Sequence, residues 1–312
     1  MIADVLGLLL RAAFVLTGTA FATFALLWHA PGEPALAIAM ARYNAVVPAE
    51  VVDQLRAEAG LDAGFLTAFL AWAEPLLVGD FGLSSVTGRA VWPELLSAIG
   101  YTLPLALLGL AIGLALSFPL AAIATRAPGG LVDRLAVAVA SLGTAIPAYW
   151  LGLLLILLFA VQLAWLPAMG ARTPAHMLLP ALTLGLGVAA SLTRIIRSGI
   201  LEARAQPFLP AFRRRGVARR VVARDHVAPH AAIPVVTVFG LELAFLLEGA
   251  VMVEVVFGRP GLGSFLVNAI EARDFPKVQA VVLLAALIFV VVNLAIDVIY
   301  RLIDPRIGAR DA

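Results

Sequence analysis

Residues 194 to 234 read RIIRSGILEARAQPFLPAFRRRGVARRVVARDHVAPHAAIP, running from Arg194 to Pro234. Nine arginines (194, 197, 204, 213, 214, 215, 219, 220 and 224) stand here against two acids, Glu202 and Asp225. Long apolar runs flank the stretch on both sides. A basic segment between two membrane-length segments belongs on the cytoplasmic side of a bilayer, because short loops rich in Lys and Arg stay inside.

The totals agree with a membrane chain. Of 312 residues, 62% are hydrophobic and 13% charged, and the mean hydropathy is +1.01. Soluble domains carry about a quarter charged residues, so this composition indicates an integral membrane protein. There is no cysteine, which removes disulfides, thiolate metal sites and a cysteine nucleophile. The one lysine, Lys277, follows Pro276. A phosphate-binding Walker loop needs glycine before its lysine, so any ATP chemistry must sit on a partner. No Ser-His-Asp set or zinc-protease motif is visible, and the chain is not expected to be an enzyme.

Upstream of the basic stretch, Val5–Ala30 holds Arg11 as its only charge and is long enough to span, since about 20 residues at 1.5 Å each cross a hydrocarbon core. The rival reading is a cleaved signal peptide with Arg11 as its basic region. Pro31 and Pro34 follow directly and no clean small-x-small site stands out, which favours the span. Residues 31–98 then turn polar, with eight acids and three arginines up to Glu94. The spacing of Val52, Leu55 and Leu61 predicts a short helix over Pro48–Leu61, and Gly79-Asp80-Phe81-Gly82 reads as a turn.

Further spans are expected near Tyr101–Thr125, with Pro104 and Pro119 as sources of kinks, and near Leu135–Leu163. A fourth is expected over Met177–Leu192, with Gly185 and Gly187 suited to close packing. The fifth, Ala231–Val253, contains Glu242 and Glu248, and the sixth is Val278–Tyr300. Acids inside a span are expensive and mark functional positions by default. Six residues at 100° each separate these two by about 120° around the helix, so they need not share a face. Both are candidates for a translocation path, and a proton-coupled secondary transporter is the reading they would support alone. The competing reading is a buried hydrogen bond to a neighbouring helix. The arginine-bearing loops fall on one side and the acidic first loop on the other, which places both termini in the cytoplasm. Arg172, on the outer side, is a weak dissent.

The motifs now point further. Ala30-Pro31-Gly32-Glu33-Pro34, Gly79-Asp80-Phe81-Gly82, Thr87-Gly88-Arg89 and Ile146-Pro147-Ala148-Tyr149-Trp150-Leu151-Gly152 occur in order. Trp165-Leu166-Pro167, Leu179-Pro180-Ala181, Glu254-Val255-Val256-Phe257-Gly258-Arg259-Pro260-Gly261-Leu262-Gly263 and Asp304-Pro305-Arg306 complete the series. Across nearly its whole length the chain resembles the first of the two permease subunits of the dipeptide, oligopeptide and nickel ABC importers. That resemblance implies an all-α integral membrane protein of about six transmembrane helices, with the type I ABC importer permease fold, in a bacterial inner membrane. The implied organisation is an N-terminal helix (1–30), an extracytoplasmic polar segment (31–98) and a five-helix permease domain (99–312) with a coupling loop at about 194–230.

The resemblance also locates a docking site. Importer permeases carry Glu-Ala-Ala, three residues, Gly, nine residues and Ile-x-Leu-Pro. Counted from Gly216, the triplet falls on Pro210-Ala211-Phe212 and the close on Pro229. Ala211, Gly216 and Pro229 fit; Pro210 and Phe212 depart from the pattern, as do the residues at its isoleucine and leucine positions. With Arg213, Arg214 and Arg215 these are the expected ATPase-coupling residues. Gly216 is expected at a positive φ or a close backbone approach, with an ordinary helix C-cap as the alternative.

The implied partners are a second homologous permease subunit, two ATPase subunits, an extracytoplasmic binding protein and membrane lipid, with no nucleic acid and no cofactor. Peptides are the implied substrate; nickel or a metal chelate is the alternative. His226 and His230 have a ligand-like i, i+4 spacing, but they lie in the cytoplasmic loop, and metal ligation is not expected there.

Overall fold

The computed structural model describes residues 2–30, 33–43, 47–58, 62–207 and 209–303. The C-terminal Asp304-Pro305-Arg306 and Leu61 lie outside them. Among the described residues the regular structure is helical: α1 (Ile2–Trp28), α2 (Pro34–Tyr43), α3 (Ala49–Glu58), α4 (Phe65–Leu76), α5 (Val91–Ala124), α6 (Leu131–Ala145), α7 (Ala148–Leu155), α8 (Leu178–Arg204), α9 (Leu209–Arg214), α10 (Arg219–Val222), α11 (Ala228–Val256), α12 (Leu262–Glu271) and α13 (Phe275–Ile303). Among the described residues, four stretches are long and apolar enough to cross a membrane: Gly7–Trp28, Val91–Ala124, Pro174–Arg204 and Phe275–Ile296. The bent pair α6–α7 supplies a fifth. α11, at 29 residues, is about 44 Å long at 1.5 Å per residue, enough for a sixth. The protein is an all-helical integral membrane protein.

Two expected spans change. The third is not one straight helix: α6 and the helical run from Ala148 to Gln162 meet at 103°. Ile146 is extended (φ −82°, ψ 123°), as a residue before proline prefers, and Pro147 has no N–H to continue the ladder. Beyond α7 the run relaxes into a π-helical turn over Ile156–Gln162. The fourth span continues past Leu192 to Arg204, so Arg194, Arg197 and Arg204 stand on a helix and not in the loop. α5 runs unbroken over Pro104 and Pro119.

The chain divides into two compact units. One comprises Leu103–Arg259 with Val292–Ala312. Its core gathers Leu105, Leu179, Leu184, Leu192, Leu246, Val253 and Phe257. α5 and α8 approach through small residues. A Cβ on Gly109 would lie 2.9 Å from the Leu184 Cβ, and one on Gly185 would lie 2.9 Å from the Gly109 carbonyl oxygen. Small residues let membrane helices come this close. Gly187 does not share the role, since a side chain there meets open space. Two of the sequence motifs, and Gly170 beside them, meet at Phe257. A Cβ on Gly152 would meet its ring at 3.0 Å, and Gly170, at φ +106°, donates its N–H to the Phe257 carbonyl at 2.8 Å.

The other unit comprises Met1–Thr102 with Pro260–Val291. Val52 and Leu55 of α3 are buried against Ala35, Ile38 and Ala39 of α2. The turn at 79–82 is real: Gly79 and Gly82 have φ of 80° and 72°, and the Asp80 carboxylate accepts the Gly82 N–H at 2.8 Å. The following loop is held by Asp274, whose carboxylate accepts the Ser84 hydroxyl and, at 3.1 Å, the Ser85 N–H. Lys277 joins it, 3.5 Å from Asp274 and 2.7 Å from Glu94. Arg42 of α2 donates to the Ser85 carbonyl at 2.6 and 3.1 Å.

Candidate functional site

The basic stretch folds as a small helix-turn-helix between two long helices. α8 ends with the Ala205 N–H donating to the Leu201 carbonyl at 3.1 Å. α9 follows after a few residues, with Pro210 in its first turn. A first-turn proline loses nothing, because no intrahelical acceptor exists for that N–H. Leu209 is buried and anchors the start; Phe208 lies outside the described residues.

α9 is six residues long because Gly216 stops it. Gly216 has φ +72°, the Val217 N–H reaches back to the Phe212 carbonyl at 3.1 Å, and Arg215 bonds Ala211 at 3.1 Å. That is a left-handed C-cap with the six-to-one bond of a Schellman motif. Nothing lies within 4 Å of where a Gly216 Cβ would be, so backbone conformation, and not a close approach, demands glycine here. α10 and a π-helical turn, Ala223–Val227, lead into α11, whose first turn holds Pro229. The two arms are tied by Phe212 and His226, whose rings stack with centroids 4.1 Å apart and planes at 22°.

Arg214, Arg215 and Arg220 are exposed; the side chains of Arg213 and Arg219 lie outside those described. Arg224 is occupied by Asp225, with contacts of 2.6 and 3.3 Å, and this guanidinium holds the Asp225 carboxyl below its ordinary value. The loop therefore presents a short basic helix whose end is fixed by backbone geometry.

The in-span acids part company. Glu242 is buried on the side of α11 near Ser191 of α8, the helix against which α11 packs most extensively. Glu248 is exposed on the surface of this unit. They do not share a face.

Two arginines counted with the loop have structural partners the sequence did not disclose. Arg197 forms a two-pronged pair with Asp133, at 2.5 and 2.7 Å. Asp133 also accepts the Gly129 N–H at 2.7 Å, closing the first turn of α6. Arg204 donates to the Thr125 carbonyl at 2.5 Å, at the end of α5. The available signal was Asp133 itself, a lone acid opening an apolar helix, which burial obliges to find a cation.

Residues 117–309 match the family described as binding-protein-dependent transport system inner membrane component. The chain is 38% identical over 277 residues, 89% of each chain, to the glutathione transport system permease protein GsiC of Escherichia coli (strain K12). It matches the GsiC of Shigella dysenteriae serotype 1 (strain Sd197) equally. In fold it is similar to an inward-facing conformation of the MetNI methionine ABC transporter, with a TM-score of 0.56 and 20% identity, over 67% of this chain and 96% of that one. A crystal structure of an amino acid ABC transporter with histidines aligns with a TM-score of 0.53 at 18% identity, covering 67% and 94%. At these identities the structures speak for the type I importer permease fold alone. Family match and sequence relatives agree, and the chain belongs to the binding-protein-dependent transport system inner membrane components, the permeases of ABC importers.

Proposed function

We propose that this permease forms half of the translocation path of an ATP-driven importer for small peptides. A second, homologous permease completes the path, two ATPase subunits dock on the 207–229 segment and its counterpart, and an extracytoplasmic binding protein delivers the substrate. Both termini lie in the cytoplasm. The observation that carries the reading is the capped basic helix-turn-helix at Leu209–Pro229, which sits between two long helices and ends at Gly216 in the register expected of a coupling loop. The peptide class is supported by the relatives named for glutathione, itself a modified tripeptide. In this mechanism the chain makes and breaks no covalent bond. ATP-driven closure of the ATPases moves the coupling segment, and the helices open the path first outward, then inward.

Glu248, exposed on α11, is the better candidate of the two acids for the path. Glu242 serves α8–α11 packing. The test is affinity purification of the tagged chain from its native membranes in mild detergent, beside Gly216→Asp. The expected result is recovery of two ATPases and a second permease with the wild type, and loss of the ATPases alone with the variant. A wild-type chain recovered by itself or as a homo-oligomer would overturn the reading.

A further inference from the structure

We infer that α4, inside the segment between α1 and α5, is a membrane-embedded helix that lies in the leaflet holding the Trp28 end of α1 and faces lipid acyl chains. Three faces of α4 carry the argument. At 100° per residue, Phe65, Phe69 and Trp72 fall within about 60° of one another. They meet α1: Phe65 and Phe69 contact the Phe21 ring at 5.6 and 5.4 Å, and Trp72 contacts Phe24 at 5.3 Å. Phe21 precedes Trp28 by seven residues, about 10 Å along the helix, within the apolar stretch Gly7–Trp28. α4 thus touches a transmembrane helix well below its end, at the depth to which interfacial helices bury their apolar face.

The second face is apolar and uncovered. Leu66, Leu70 and Leu77 share a stripe about 40° wide, and are 62%, 58% and 87% exposed. Val78 follows at 85%. The third face holds Thr67 and Glu74, both exposed. One side packs on α1, one is greasy and open, and one is polar, which is the arrangement of a helix lying in the plane of the interface. α4 bears no Lys or Arg, so acyl contact and not headgroup charge would hold it. Because the greasy stripe continues the depth of α1, the occupant that fits is lipid.

The native chain has no cysteine, which makes the test clean. Single Cys substitutions at Leu66, Leu70, Thr67 and Glu74 are spin-labelled in the full transporter, reconstituted in phosphatidylcholine vesicles. Collisional access is then read for molecular oxygen, which partitions into acyl chains, and for a neutral nickel chelate, which stays in water. The expected result is an oxygen-to-nickel ratio severalfold higher at Leu66→Cys and Leu70→Cys than at Thr67→Cys and Glu74→Cys. Free nickel access at all four sites would make α4 an aqueous loop and overturn the inference. Exclusion of both probes at the leucine sites would put a protein partner there and overturn it equally. Neither outcome bears on the importer reading, which rests on the coupling loop.

Discussion

Removing one half of the Asp133–Arg197 pair should loosen α6 from α8. The carboxylate is nearly sealed, with a side chain 3% exposed, and the guanidinium is 25% exposed. Breaking a buried pair by deleting one partner costs about 3–5 kcal/mol, because the other charge stays behind unpaired. Arg197 keeps some access to water and Asp133 keeps its Gly129 N–H, so a cost just below that range, about 2–3 kcal/mol, is expected for Arg197→Met. Asp133→Asn should cost less, since the amide still bonds while the arginine keeps partial hydration. Replacing both, as Asp133→Leu with Arg197→Met, should recover most of the loss, because a well-packed apolar pair can be as stable as the ion pair it replaces. The assay is a double-mutant cycle of Asp133→Leu, Arg197→Met and the two combined, on the apparent Tm of the detergent-solubilised complex, at one scan rate. For a unit of this size the single variant should fall by roughly 5–10 °C. Additive losses, with no coupling between the two sites, would refute the pairing as drawn. Unchanged stability in Arg197→Met would refute the burial argument behind it.

Three further outcomes follow from the packing. Gly216→Val places a β-branched residue at φ +72°, a strain of about 1–2 kcal/mol; ATPase recovery should drop while recovery of the second permease holds, and an unaffected complex would show that α9 can end elsewhere. Gly185→Val drives its Cβ toward the Gly109 carbonyl oxygen and Ile112, and overpacking of about 1–3 kcal/mol should appear as lower expression and a lower Tm, whereas Gly187→Val should be silent. Glu242→Gln keeps a polar group of the same size in this buried position and should leave uptake into membrane vesicles close to wild type, while Glu242→Leu should reduce the yield of folded protein; loss of uptake with Gln at normal yield would instead assign the carboxyl a proton-carrying role.

Hydropathy and charge disclosed the spans and the basic loop, because an apolar run of membrane length has few alternatives. The same signal was blind to direction. Residues 135–163 form one uncharged run, yet the structure turns through 103° inside it, at a proline whose local preference was legible but whose angle depends on what packs around it. A charge tally also cannot separate a solvated loop from a helix whose arginines are spoken for. Arg197 and Arg204 find their partners 64 and 79 residues away, a distance no local pattern spans. Gly216 was readable as a position needing glycine, and the open space around it decides between the two physical reasons for that need. Glu242 and Glu248 looked alike as misplaced acids; burial against a neighbouring helix tells one from the other.

The shortness of α9 has a mechanical consequence. A six-residue helix, about 9 Å long, has no room to bend usefully, so a push upon it passes to whatever holds its two ends. One end leads back to α8 and the other, through α10 and the π-helical turn, to α11, helices of 27 and 29 residues that lie against each other. A stiff rod about 40 Å long, tilted by about 10° around its middle, swings each tip by about 3.5 Å. Under the proposed coupling role, the loop is the short arm of a paired lever, and a displacement of a few ångströms at its surface would be felt at the far ends of α8 and α11.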